Sequence, residues 1–179
     1  EYKRFNLEQR IEHWVFMASF SILGLTGLVQ RYAQSSISQI LISWMGGIET
    51  VRIIHRISAT TMMIVVVYHL GAVVYRTYVQ RKRMTMLPTL ADLRNAIHAL
   101  AFNLGLRKDH PQQGRYGFEE KAEYWAVVWG TVVMAITGFM LWNPIGTTRF
   151  LPGEFVPAAK VVHSLEALLA VLAIFLWHF

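Results

Sequence analysis

Five histidines lie within or at the ends of long apolar segments of this sequence, which contains no cysteine. They are His13, His55, His69, His163 and His178. An ionisable side chain is costly inside a membrane, so an intramembrane histidine indicates a functional site. Neutral imidazole is a common metal ligand. The residue types and their placement therefore predict metal binding among apolar helices.

Four of these histidines form two pairs of nearly equal spacing. His55 pairs with His69, and His163 pairs with His178 at a spacing wider by a single position. On α-helices these separations span roughly 21 to 23 Å, with angular offsets of about 40° and 60°, so both rings of a pair share a face. Two such helices could hold two metal centres at different depths.

The composition predicts a membrane bundle that carries these histidines. The 179 residues are 54% hydrophobic and 16% charged, and their mean hydropathy is +0.36. Four segments reach the ~20 apolar residues that a spanning helix requires: about 12–30, 52–76, 121–142 and 157–179. We therefore expect an all-α integral membrane four-helix bundle, with residues 1–179 as a single domain. Helical spacing of apolar residues around 37–44 and 90–104 predicts two short interfacial helices.

Charge and cysteine content exclude several classes of function. The absence of cysteine excludes disulfides, cysteine-ligated iron-sulfur clusters and thioether-attached haem. The net charge is +6, but the basic residues cluster beside the apolar spans, which argues against nucleic-acid binding. They are concentrated in the N-terminal stretch and the second loop. The positive-inside rule therefore predicts a bacterial cytoplasmic membrane protein with both termini in the cytoplasm.

A haem held by two histidines leaves no open iron position and therefore suits electron transfer. The second and fourth spans run in the same direction, so His55 and His163 share the predicted outer level, while His69 and His178 share the inner one. His13, at the start of the first span, also lies at the inner level. His13 and His69 thus compete for the place opposite His178. Spacing alone favours His69, and the third histidine could be a hydrogen-bond donor, a quinone-site residue or a ligand of a third haem.

Two arginines near the outer end of the second span are further cofactor-binding candidates. Arg52 and Arg56 flank His55, and their guanidinium groups could pair with anionic haem propionates. The alternative is that both side chains extend to the membrane interface.

Several motifs are similar to those of the b-type cytochrome subunits of membrane-bound formate dehydrogenases and nickel-iron hydrogenases, a cytochrome b/b6-like domain. They are RIEHW at 10–14, TGL at 26–28, RIIH at 52–55, GRY at 114–116, TG at 137–138 and WNP at 142–144, with His163 opening the last span. The resemblance covers nearly the whole chain.

The family resemblance implies haem ligands at His13, His55, His163 and His178. The outer haem would be bound by His55 and His163, and the inner haem by His13 and His178. The sequence departs from the formate dehydrogenase pattern by the additional His69 and by a fourth-span pair that is one residue wider. Both features also occur in cytochrome b of bc-type complexes, where paired histidines on two parallel helices bind both haems.

These observations predict a dihaem membrane cytochrome b, with a third haem possible. It would transfer electrons between a periplasmic iron-sulfur or multihaem subunit and the quinone pool in the surrounding lipid. Two other functions are compatible with the sequence: a stand-alone cytochrome b oxidoreductase, and a haem-free membrane anchor, which would lack b-type absorption.

Overall fold

The computed structural model describes residues 6–82, 84–110 and 116–178, with only the backbone for residues 177 and 178. Its four long helices are α1 (Leu7–Arg31), α3 (Ile48–Val74), α5 (Phe118–Trp142) and α7 (Phe155–Ala173). Each belongs to a segment long and apolar enough to cross a membrane. All regular elements in the described ranges are helical, so the predicted all-α membrane fold is confirmed.

The long helices begin a few residues before the predicted spans, and in α1 and α5 the first turns are polar. α1 starts at Leu7, where Asn6 and Gln9 form a capping box. The Gln9 amide donates to Oδ1 of Asn6 at 2.8 Å, and the Asn6 amide donates to Oε1 of Gln9 at 3.0 Å. Such a cap satisfies amides that a helix start otherwise leaves unpaired. A span predicted from hydropathy covers only the apolar part of a helix, so the predicted start of α1 leaves out its polar, capped first turn.

Three short helices lie in the connections. They are α2 (Ser36–Trp44), α4 (Leu90–Asn103) and α6 (Pro144–Thr147). The first two confirm the helices predicted around 37–44 and 90–104. α6 was not predicted, since a single turn is too short to show periodicity. It starts where Pro144 occupies the first turn and Asn143 accepts a hydrogen bond from the Gly146 amide.

The two helices that carry the histidine pairs, α3 and α7, each end in a π-helical turn. The turn Tyr75–Val79 follows α3, and the turn Ile174–His178 follows α7. A π-helical turn closes a hydrogen bond one residue longer than an α-helical turn does. The backbone of residue 178 therefore reaches an angular position close to the one that a pure α-helix would reach a residue earlier. This turn offsets the extra residue in the fourth-span histidine spacing.

Among the described residues, those up to Tyr75 and from Val133 onward form one compact unit. Within it, α1 packs against α2, α3 and α7, and its most extensive contact is with α3. Ser19 and Thr26 of α1 are buried, as are Val51 and Ser58 of α3. Each pair is separated by one heptad, the repeat of helices that pack along a shared seam. Small side chains at such a contact let membrane helices approach closely.

Residues from Arg76 to Val132 form a second compact unit, which contains α4 and the first part of α5. Nζ of Lys121 lies 2.8 Å from Oδ2 of Asp92, and both side chains are mostly buried. The indole of Trp125 donates to the Met86 carbonyl at 2.9 Å. These contacts hold α4 against the start of α5. The single domain expected for residues 1–179 stays a prediction.

Candidate metal centre

His55 of α3 is held by a threonine of α1. Its Nδ1 lies 2.8 Å from Oγ1 of Thr26, a residue that is 2% exposed. The same hydroxyl lies 2.7 Å from the carbonyl oxygen of Ile22, one turn earlier in α1. The contact between these two helices thus fixes the orientation of the imidazole.

His163 of α7 is held in the same way by α5. Its Nδ1 lies 2.9 Å from Oγ1 of Thr137, which is also buried. The Thr137 hydroxyl lies 2.7 Å from the Val133 carbonyl oxygen. The first and third spans therefore each supply one threonine to a histidine of the second or fourth span.

These hydrogen bonds define which ring nitrogen carries the proton. A hydroxyl has one proton to donate, and in both threonines a carbonyl oxygen of the preceding turn accepts it. Oγ1 then accepts the hydrogen bond from Nδ1–H of the imidazole. In a neutral ring this leaves Nε2 unprotonated, with its lone pair available to a metal.

The two imidazoles are separated by the distance that one metal ion bound between them requires. Their ring centroids are 6.5 Å apart. A bond from a metal to an imidazole nitrogen is about 2 Å long, so rings on opposite sides of one metal ion have centres roughly 6 to 6.5 Å apart. The separation of His55 and His163 is therefore compatible with two imidazole ligands on one metal ion, and their role as ligands stays a prediction.

A glycine beside each threonine keeps backbone close to the imidazoles. A Cβ atom on Gly27 would lie 3.5 Å from Cε1 of His55, and a Cβ atom on Gly138 would lie 3.2 Å from Cε1 of His163. The second distance is tighter than an ordinary contact, so a side chain at position 138 would push on the ring. The paired threonine-glycine sequences thus orient each imidazole and leave room for it.

His69, the additional histidine of α3, is hydrogen-bonded to α1. Its Nδ1 lies 2.7 Å from Oε2 of Glu12. The Glu12 side chain is 11% exposed and the His69 side chain is 36% exposed. The sequence did not predict this pairing, although the spacing from Glu12 to Thr26 equals the spacing from His55 to His69.

His13 and His178 are less closely defined. The His13 side chain is exposed. His13 lies on the same face of α1 as Gly24. That face is close to α7, since a Cβ atom added to Gly24 would lie 3.1 Å from Cγ2 of Val171. The backbone of His178 ends the π-helical turn after α7, and its side chain is outside the described part of the structure, as are Gly114 and Arg115 of the GRY motif.

The two arginines proposed for propionate binding have protein partners. Arg52 forms an ion pair with Glu49, one turn earlier. The guanidinium carbon of Arg56 lies 5.4 Å from the ring centroid of Trp142, a cation–π distance. Both side chains are exposed, so both remain accessible to an anionic group.

Sequence reasoning missed the threonines that bond to His55 and His163. Thr26 and Thr137 entered only as parts of motifs, and the signal for them was the recurrence of a threonine-glycine pair in the first and third spans. His98 lies on α4, outside the apolar spans. In the structure its Nε2 lies 3.1 Å from Oδ2 of Asp109.

Two oriented imidazoles from separate apolar helices are typical of a membrane cytochrome of the b type. The sequence comparison agrees with this class: the chain matches the prokaryotic cytochrome b561 family over residues 1–89 and 86–179. The chain belongs to this family, which includes the cytochrome b of nickel-iron hydrogenases. It is thus a membrane b-type cytochrome that binds haem b and takes part in electron transfer. The predicted family resemblance is confirmed.

Comparison with curated proteins and comparison with solved structures gave no match. The family and the four apolar helices together indicate a protein of the inner membrane.

Proposed function

We propose that this chain is a dihaem cytochrome b that transfers electrons between a periplasmic redox subunit and the membrane quinone pool. One haem would lie at the His55 level, defined by His55 and His163. The other would lie at the His69 level, defined by His69 and the backbone of residue 178. The redox subunit would carry an iron-sulfur or multihaem centre.

The arrangement at the His55 level is the observation that carries this proposal. Two imidazoles with centroids 6.5 Å apart each direct Nδ1 to a buried threonine. The chain supplies two ligands and fixes their tautomers before the cofactor binds. Bound haem supplies an iron that accepts and releases one electron at a time. An iron held by His55 and His163 would have no position for a substrate, so the centre would serve electron transfer.

Two levels of histidines support conduction across the membrane. Both His55 and His69 lie on α3, and their spacing corresponds to roughly 21 Å along a helix. A single centre would reach one face of the membrane, whereas two centres at this separation extend over most of its apolar thickness of about 30 Å. Quinone exchange would take place near the His69 level, and the redox subunit would dock near the His55 level.

Haem content is the direct test of this function. The full chain is purified in detergent, and haem b per chain is measured together with the oxidised and reduced absorption spectra. We expect two haems in the wild type and one in His55→Ala or His163→Ala. His98→Ala is the matched control, because its imidazole is bonded to Asp109, and it should keep both haems.

Haem-free wild-type protein would refute the proposal and favour the membrane anchor. Full haem content in both His55→Ala and His163→Ala would refute the ligand assignment. A soluble quinol analogue should reduce the haems without turnover when no redox subunit is present. Steady turnover by the isolated chain with a small-molecule partner would instead favour the stand-alone oxidoreductase.

The proposed orientation has both termini and the second loop in the cytoplasm. The chain has no cysteine, so a single introduced thiol reports its own side of the membrane. An impermeant maleimide should label Ser36→Cys in intact spheroplasts and label Lys108→Cys only after lysis. Both positions are exposed. The reverse labelling pattern would refute the orientation.

A further inference from the structure

The contact between α1 and α3 contains two hydrogen bonds to histidine in one register. Thr26 pairs with His55, and Glu12 pairs with His69. The two bonds are separated by equal lengths of each helix, in opposite chain directions. That length is two heptads, after which a pair of packed helices presents the same faces to each other. The α1–α3 part of the arrangement at the His55 level is thus repeated at the His69 level.

The hydrogen bond to Glu12 also defines which ring nitrogen of His69 carries the proton. A carboxylate oxygen can only accept a hydrogen bond, so Nδ1–H of a neutral His69 donates to Oε2 of Glu12 at 2.7 Å. This leaves Nε2 with its lone pair, as in His55. A carboxylate is a stronger acceptor than a hydroxyl, and such an acceptor raises the basicity of a metal-bound imidazole.

Only one of the two carboxylate oxygens of Glu12 has a hydrogen-bond partner in the described part of the structure. Among the described residues, Oε1 of Glu12 is buried without a hydrogen-bond partner. A buried carboxylate with an unsatisfied oxygen destabilises the folded chain. The other carboxylate oxygen, Oε2, is bonded to His69, which gives the residue a role in orienting that imidazole.

We propose that His69 is the α3 ligand of the second haem and that Glu12 is its positioning residue. This inference rests on the proposed dihaem function and specifies one ligand of the second site. The family resemblance assigns that ligand to His13. On α1, His13 is turned about 100° from Glu12 and shares a face with Gly24, which approaches α7. His69 instead repeats the bond to α1 that His55 makes. The carboxylate at this level makes the His69 imidazole a stronger electron donor than His55, which has a threonine.

Haem content in paired variants tests the ligand. Purified His69→Ala should retain one haem per chain, and His13→Ala should retain two. The cavity variant His69→Gly should recover the second haem spectrum when imidazole is added, whereas His13→Gly should show no change on addition. Haem loss in His13→Ala, alone or together with loss in His69→Ala, overturns the assignment. Wild-type protein without haem would instead refute the proposed function itself.

Redox titration tests the role of Glu12. In Glu12→Gln the acceptor is neutral, so the imidazole donates less electron density and ferric haem is less stabilised. We expect a higher midpoint potential for the haem that His69→Ala removes, with no change in the haem that His55→Ala removes. Glu12→Asp, which keeps the charge, should restore part of the shift. Glu166→Gln, a change at another carboxyl of the spans, is the control and should leave this potential unchanged. Equal potentials in wild type and Glu12→Gln, with both haems bound, would overturn the positioning role.

Discussion

Replacement of Thr26 by valine tests whether a single hydroxyl orients a haem ligand. The two side chains have nearly the same shape, so the change removes the acceptor 2.8 Å from Nδ1 of His55 and leaves α1 packed. A buried donor that loses its partner costs about 1 to 3 kcal/mol. Loss of such an outer partner lowers metal affinity by roughly 10- to 100-fold. We expect weaker haem retention at the His55 level.

The same substitution should raise the reduction potential of the haem that remains bound. The lost hydrogen bond makes the imidazole a weaker donor, which destabilises ferric iron relative to ferrous iron. If the hydrogen bond differs between the two oxidation states by about 1 kcal/mol, the midpoint potential rises by roughly 40 mV for a one-electron couple. Redox titration of the purified protein, monitored by absorption, measures this shift.

Two variants separate hydrogen bonding from local packing. Thr26→Ser keeps the hydroxyl and should stay close to wild type. Thr60→Val removes a hydroxyl of α3 that bonds to the Arg56 carbonyl of its own helix, and it should change neither haem content nor potential. An unchanged potential and unchanged haem retention in Thr26→Val would refute the reasoning that assigns this threonine to His55.

Two further predictions concern the glycines and the loop ion pair. Gly138→Ala should lower haem retention more than Gly27→Ala, because the added Cβ would lie 3.2 Å from the His163 ring in the first and 3.5 Å from the His55 ring in the second; haem per chain measures both, and equal retention would contradict the steric argument. The hydrogen bond from Lys121 holds the pKa of Asp92 below its usual value, so the pair stabilises the fold above the unfolded pKa of about 3.9 and loses this effect as pH falls further. Asp92→Asn should therefore lower the unfolding temperature at pH 7, and its difference from wild type should shrink below about pH 4.

The sequence predicted the helical elements well because membrane insertion imposes a length and a polarity on each span. Four apolar segments became four spanning helices, and the stretches around 37–44 and 90–104 became α2 and α4. The missed features are local. The Asn6 cap, the turn at Pro144 and the two π-helical turns depend on individual hydrogen bonds, which hydrophobic periodicity does not report.

The sequence also predicted only part of the candidate metal centre. Histidines in apolar segments and the absence of cysteine were enough to predict imidazole ligands, because few other reasons place a titratable ring in a membrane span. The pairing of His55 with His163 followed from equal depth. The sequence did not reveal that each ring is bonded to a threonine, since Thr26 and His55 are 29 residues apart and their contact depends on the register of α1 against α3.

By itself, the sequence determined the class of protein and the number of apolar spans, and it predicted candidate iron ligands, because burial cost and ligand chemistry are properties of residue types. The tertiary structure decided which imidazoles face each other and which nitrogen each ring leaves available. Those properties arise from the packing of one helix against another, where Thr26, Thr137 and Glu12 meet histidines far away in the chain. Such hydrogen bonds depend on the register of one helix against another, which the sequence of either helix does not give.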